Sequence, residues 1–304
     1  MTLAKGHPFS RMYNLVFTAE DGSTLNIFTK QGGYHALDIK FDVDRALGAL
    51  TTNGRISVLG LTKEHIKPFA DMAGYVIGGR QGKMNIKLTA GYYEGGFKEV
   101  EIYNGGIKDV EITKPPDIWL NLTVNEAWRY TEPIKDPSLI YNEDKYKVEY
   151  VAASVVEKYG YRFKSYVDNE VSKTQVPAFP LDKDTTFLDA LSKLQDIADW
   201  YLFAREGIVY AYPKDIAMDV PGTIKVDNEH GLVGVSGING INADVTTFLQ
   251  DQHPDLCKMK LTSITNPGAN GTYRIMRKRF HGHFRGDEWY TTYHCCAKVE
   301  STRK

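Results

Sequence analysis

Cysteine is scarce in this chain: three among 304 residues, at Cys257, Cys295 and Cys296. That number builds no disulfide framework and fits synthesis in a reducing cytoplasm. Nowhere do about 18 apolar residues run together, so no helix is expected to anchor the chain in a bilayer. The opening Met1-Thr2-Leu3-Ala4-Lys5-Gly6-His7-Pro8 lacks the apolar centre of a signal peptide. Neither charge sign dominates. With 37 Lys and Arg against 38 Asp and Glu, the net charge is -1, which excludes a surface that tracks nucleic acid throughout and leaves room only for a local patch. Charge blocks and low-complexity segments are also missing.

Catalytic motifs are missing in the same way. Gly78-Gly79-Arg80-Gln81-Gly82-Lys83-Met84 looks like a phosphate loop but has Ile77 where the first glycine belongs and Met84 in place of the magnesium-holding Ser or Thr. Gly234-Val235-Ser236-Gly237 lacks the spacing of a nucleophile elbow. Glu64-His65 has no second histidine four residues from the first.

What is present is an ordinary globular composition, 42% apolar and 25% charged, long enough for two or three domains. Nineteen Tyr and 27 Gly among short alternating runs point to β structure with many turns. Met12–Thr18 alternates as a strand. Leu37, Ile39, Phe41 and Val43 are expected on one face of the next, with Asp38, Lys40, Asp42 and Asp44 towards water. Arg55–Leu59 follows, then a helix capped by Thr62, running to Met72 and bent at Pro68. Strands at 83–92, 97–103 and from Ile107 are separated by Gly95-Gly96 and Asn104-Gly105-Gly106, and Ile118–Trp128 closes the series.

Pro133 and Pro137 mark a boundary between Tyr130 and Asn142. Tyr146–Tyr159 reads as a helix with Val148, Val151, Ala152, Val155 and Tyr159 on one side and Gly160 at its C-terminus. A strand at 161–167 leads to the most regular unit of the chain. There Phe187, Leu191, Leu194, Ala198 and Tyr201 recur at helical spacing, widened by Leu188 and Ile197, with Asp184 or Thr185 as cap. An aromatic hairpin follows: Leu202-Phe203-Ala204 and Ile208-Val209-Tyr210 around Glu206-Gly207. Strands are expected at 222–226, 231–238, 242–249 and 256–264. A last hairpin pairs 271–283 with 288–300. The expected divisions are 1–132, 133–215 and 216–304, in a mixed α+β fold that is mainly β.

Three separated pieces form a recognisable series. Gly54–Lys63, Met84–Tyr92 and Val100–Ile107 stand early, the helix and hairpin from Thr185 to Pro213 in the middle, and Gly231–Val235, Asn270–Ile275 and Gly286–Thr292 late. Their order resembles the baseplate hub proteins of contractile-tailed bacteriophages, the group that includes late control protein D. The resemblance implies a homotrimeric ring with two small tube-like antiparallel β-barrels per subunit around an α/β middle region. It also implies a virion location in the tail baseplate, with assembly in the host cytoplasm. The implied partners are the tail tube, the central spike, the tape measure and other baseplate proteins, with DNA only passing through. No lysozyme-like or needle-like segment follows the final hairpin before Lys304, so a fused lytic or spike activity is not expected.

The residues themselves offer few sites. His281, His283, His294 and Cys296 share one face of the last hairpin if Gly286-Asp287 are its central residues and Phe284 opposes Trp289. Zinc needs four converging ligands, but Arg277 and Arg279 share that face and the paired spacing of a zinc ribbon is missing. The same hairpin carries Arg274, Arg277, Lys278, Arg279 and Arg285, of which Arg274, Arg277, Arg279 and Arg285 form a candidate basic contact patch for phosphate or an acidic partner. Asp42/Asp44 and Asp182/Asp184 are carboxylate pairs, read as solvated structural groups rather than as a general acid and base. No enzyme, metal or cofactor is expected. The structural anchors are Phe187, Leu191, Leu194, Trp200, Trp289 and Tyr290. A cell-wall hydrolase of the tail, or a sugar- or nucleic-acid-binding β module, is the rival reading.

Overall fold

The computed structural model describes residues 10–19, 21–28, 36–46, 52–75, 84–93, 99–125, 146–166, 175–176, 179, 184–198, 200–205, 207–213, 223–237, 242–251 and 258–298. The boundary region 130–142, the glycine-rich stretch 78–83 and Asp182 lie outside them. Contacts divide the chain into two compact units, one of residues 1–45, 53–125 and 221–304, the other of 46–52 and 126–220. The first and last segments of the sequence therefore fold together.

In the first unit the early strands are β1 (Arg11–Thr18), β2 (Thr24–Phe28), β3 (Asp38–Ala46) and β4 (Asn53–Leu59). After helix α1 (Lys63–Tyr75) come β5 (Asn85–Tyr92), β6 (Val100–Ile112) and β7 (Trp119–Asn125). Strict alternation buries Leu15 and Phe17 of β1, Ile39, Phe41 and Val43 of β3, Ile86 and Leu88 of β5, and Leu120, Leu122 and Val124 of β7 in one core. Each such side chain contributes about 1.5–3 kcal/mol by leaving water. β6 links two groups of strands. Its first half pairs with β5 and its second half with β7. Asn104-Gly105-Gly106, expected to be a turn, is instead the middle of this one 13-residue strand. The Tyr103 hydroxyl donates to the Gly106 carbonyl at 2.8 Å and lies where a Cβ on Gly105 would sit, so glycine is needed for packing, not for reversal.

The late strands of this unit are β13 (Ile224–Asp227), β14 (Leu232–Ser236), β15 (Ala243–Phe248), β16 (Lys258–Thr262), β17 (Gly271–His283) and β18 (Trp289–Lys298). They extend the same sheet. Its order is β14-β15-β18-β17-β3-β4-β7-β6-β5-β1-β2, with β16 joining β13 to β17. The junction of early and late sequence is β17 on β3. Side-chain pairs Asp38–His283, Asp42–Arg279 and Asp44–Arg277 run in opposite order along the two strands, the antiparallel sense. β17 and β18 pair with Gly282 opposite Trp289, two residues from the expected register. The connection is a four-residue loop, closed by the His283 N–H donating to the Glu288 carbonyl at 2.8 Å. Arg11 holds that loop, its guanidinium donating to the carbonyls of His283, Gly286 and Asp287. A two-residue shift keeps His281 and His294 on one face of the hairpin, as expected.

The second unit contains β8 (Tyr146–Lys147), α2 (Val148–Lys158), β9 (Arg162–Ser165), β10 (Gln175–Val176), α3 (Phe187–Ala198), β11 (Trp200–Arg205) and β12 (Ile208–Pro213). Tyr146 and Lys147 are strand, so the helix starts two residues later than its pattern suggests. α2 ends in a paired-bond cap. Gly160, at φ 77°, donates to Glu157, and Tyr161 donates to Val156. α3 is capped by Thr186 rather than Asp184 or Thr185. The Asp189 N–H donates to Thr186 Oγ1 at 3.1 Å, and Asp189 Oδ2 accepts from the Thr186 hydroxyl and N–H. Phe187, Leu191, Leu194 and Ala198 join Val148, Val151, Val155, Trp200, Leu202, Val209 and Ala211 in the core of this unit. Ile197, expected in the stripe, is 47% exposed, because Asp196 and Ile197 lie on the outer side of the final turn.

Candidate functional site

The pleat that buries one face of β3, β4, β7, β17 and β18 exposes a polar face on the other side. Cross-strand register sets it out in rows. One row runs Asp244, His294, Arg277, Asp44, Asn53, Asn125 over β15, β18, β17, β3, β4 and β7. The next runs Thr246, Thr292, Arg279, Asp42, Arg55, Thr123. Two shallow depressions of about 650 and 730 Å³ lie over this face, the first near Lys40, Trp119 and His281, the second near Asn53, Lys108 and Arg277.

Its centre is a pair of arginine–carboxylate forks. Arg279 Nε and Nη2 donate to Asp42 Oδ1 and Oδ2 at 2.7 and 2.6 Å. Arg277 Nε donates to Asp44 Oδ1 at 2.6 Å, and its Nη2 meets Asp44 Oδ2. The Arg279 bonds hold the Asp42 carboxyl below the usual range, and each arginine is raised by its aspartate. Arg277 and Arg279 of the expected basic patch are therefore rungs of a ladder of matched charges. Arg285 is committed elsewhere, with its Nη2 donating to the Ala36 carbonyl and its N–H to Asp38. Asp38 does not face water as its alternation suggests; it is buried and takes His283 Nε2 at 2.9 Å.

The histidines are brought to one face but not to one point. His283 meets Asp38, His294 Nδ1 meets Asp244 at 2.8 Å, and His281 Nε2 meets the Thr292 hydroxyl at 3.1 Å. Burial lowers the His281 pKa. Among the described residues no three His, Cys, Asp or Glu side chains gather as metal ligands would. The Cys296 side chain lies outside the description, while Cys295 is buried on the other face.

Of the expected anchors, Trp289 is buried, with its ring edge-on to Phe41 and its Nε1 donating to the Gly91 carbonyl at 3.2 Å. Tyr290 is half-buried beside the His281 ring. Phe187, Leu191, Leu194 and Trp200 are buried in the other unit.

One cluster corrects the sequence reading: Lys278, counted among the basic residues of the last hairpin, is buried. Lys278, with no exposure, donates to Asp251 at 2.9 Å, and Arg45 pairs with the other Asp251 oxygen at 3.4 Å. Arg45 also donates to the carbonyls of Glu101 and Ile102. The signal was parity. Arg45 continues Ile39, Phe41 and Val43, and Lys278 precedes Phe280 and Gly282, so both cations fall at core positions and require a buried carboxylate.

The comparisons agree with this architecture. The family model for baseplate hub gp41 matches residues 16–295. No curated protein matches the sequence. A 43 kDa tail protein of prophage MuSo2 from Shewanella oneidensis has the same fold at TM-score 0.61 and 10% identity, over 94% of this chain and 98% of that one. A tail protein from Neisseria meningitidis MC58 aligns at TM-score 0.59 and 9% identity, over 93% and 96%. The E. coli c3393 protein, a type VI secretion component, aligns at 0.51 and 9%, over 88% and 76%.

Proposed function

The chain belongs to the baseplate hub gp41 family, structural proteins of the phage tail, and from that premise we propose that it forms a closed homotrimeric ring in the virion. In this reading residues 1–132 and 216–304 supply two tube-like barrels per subunit, and 133–215 the middle domain. The ring joins the end of the tail tube above to the central spike below, holds that junction shut, and releases the spike at ejection. The polar sheet face lines the channel through which DNA then passes.

The observation that carries this proposal is the family match across nearly the whole chain. The spike as partner is supported by relatives. One solved structure of this fold is a Francisella PdpA–VgrG complex, and the E. coli c3393 protein is described as similar to the T4 tail proteins gp27 and gp5. Light scattering on a gel-filtration peak tests the ring. Three chains of 34.3 kDa give about 103 kDa, stable on dilution. A chain that stays monomeric even with spike and tube proteins present would overturn the proposal.

A further inference from the structure

Taking the channel-lining role of the polar face as its premise, the geometry points to a specific device: Asp42 and Asp44 mask Arg279 and Arg277, so that duplex DNA can move across this face without being held. The argument starts from what the forks engage. A guanidinium grips a phosphate through the same planar, two-pronged donor edge that grips a carboxylate. In both pairs Nε and Nη2 already point at an aspartate, so the edge that phosphate would need is occupied.

Stability gives little reason for the pairs. Arg277 and Arg279 are 46% and 45% exposed, and exposed ion pairs contribute little to stability. The neighbouring strands fill equivalent positions with Asn53, Thr123, Asn125 and Thr292, which shows that uncharged residues fit the same face. A partner protein would look for apolar anchors, and a single strand for exposed rings. The aromatic side chains here are already engaged, Trp119 under the Lys40 ammonium at 4.4 Å and Tyr290 beside His281. Arg55 lies beside Asp42 on β4 and has no ion pair among the described residues. It leaves the native face a weak, brief attraction for a polyanion. Freeing two more guanidiniums would turn that attraction into capture.

The test is fluorescence anisotropy of the full chain with a labelled 30-base-pair duplex across a salt series. The native protein is expected to bind weakly. Asp42→Asn with Asp44→Asn should bind at least tenfold tighter at low salt. Two freed arginines should steepen the dependence of log K on log salt by about 2, at roughly 0.9 per phosphate. Adding Arg277→Gln and Arg279→Gln should return both quantities to native values. Asp184→Asn with Asp196→Asn, which changes net charge equally on exposed residues of the other unit, should leave binding unchanged. No gain in the first variant, or an equal gain in the control, overturns the proposal. A trimer whose first variant gains nothing keeps the ring and loses the mask. A monomer that gains as described keeps the mask and loses the ring.

Discussion

A lysine with no solvent exposure and an arginine 4% exposed share one carboxylate, Asp251. Removing that carboxylate leaves two cations buried, whereas removing the lysine leaves one complete pair. The consequences are therefore asymmetric. Asp251→Ala is expected to cost about 3–5 kcal/mol in urea unfolding, and Lys278→Met less than about 1. Equal losses would mean that the cluster is not coupled through Asp251. Asp42 behaves differently because it is half exposed. Arg279 lowers its pKa below the usual 3.8, so its stabilising effect is fully present above that value and disappears as pH falls through the lower, folded-state value. The difference in urea midpoint between native protein and Asp42→Asn should be constant from pH 8 to 5 and narrow progressively as pH falls below 3.8. A gap that does not narrow in acid would place the effect outside the ion pair.

At the scale of elements, closeness of approach decides what can change. A Cβ on Gly282 would lie 2.5 Å from the Phe41 ring and 2.7 Å from Trp289, inside the core where β17 joins β3. Gly282→Ala is expected to destabilise by about 1–3 kcal/mol through overpacking. On α3, Thr186→Ala should cost about 1 kcal/mol and Thr186→Ser much less, since the hydroxyl is the cap. Both are read by denaturant unfolding. These cases also show what a sequence can carry. Alternation in β3, β5 and β7 gave core faces directly, and helical spacing gave α3, because one residue's neighbours suffice to define a face. The cap slipped by one or two positions because Asp184, Thr185 and Thr186 are all good caps in isolation. Asn104-Gly105-Gly106 has turn chemistry, but the Tyr103 hydroxyl and the strands on either side keep it extended. The Asp–Arg ladder was beyond reach, since nothing local states that β3 meets β17 some 230 residues later.

For the whole molecule, the two units have separate cores, one containing Leu122 and Trp289, the other Leu191 and Trp200. If the ring is built from the barrels, subunit contacts belong to the first unit, and association stabilises only what it binds. Calorimetry should then show two transitions, with one rising in temperature as protein concentration rises and the other fixed. Substitution identifies each. Leu122→Ala and Leu191→Ala remove buried side chains, at about 2–5 kcal/mol apiece. The first should lower only the concentration-dependent transition and the second only the fixed one. A single transition lowered by both would mean that the units unfold as one body. If instead Leu191→Ala lowered the concentration-dependent transition, the subunit contacts would have to be assigned to the middle domain.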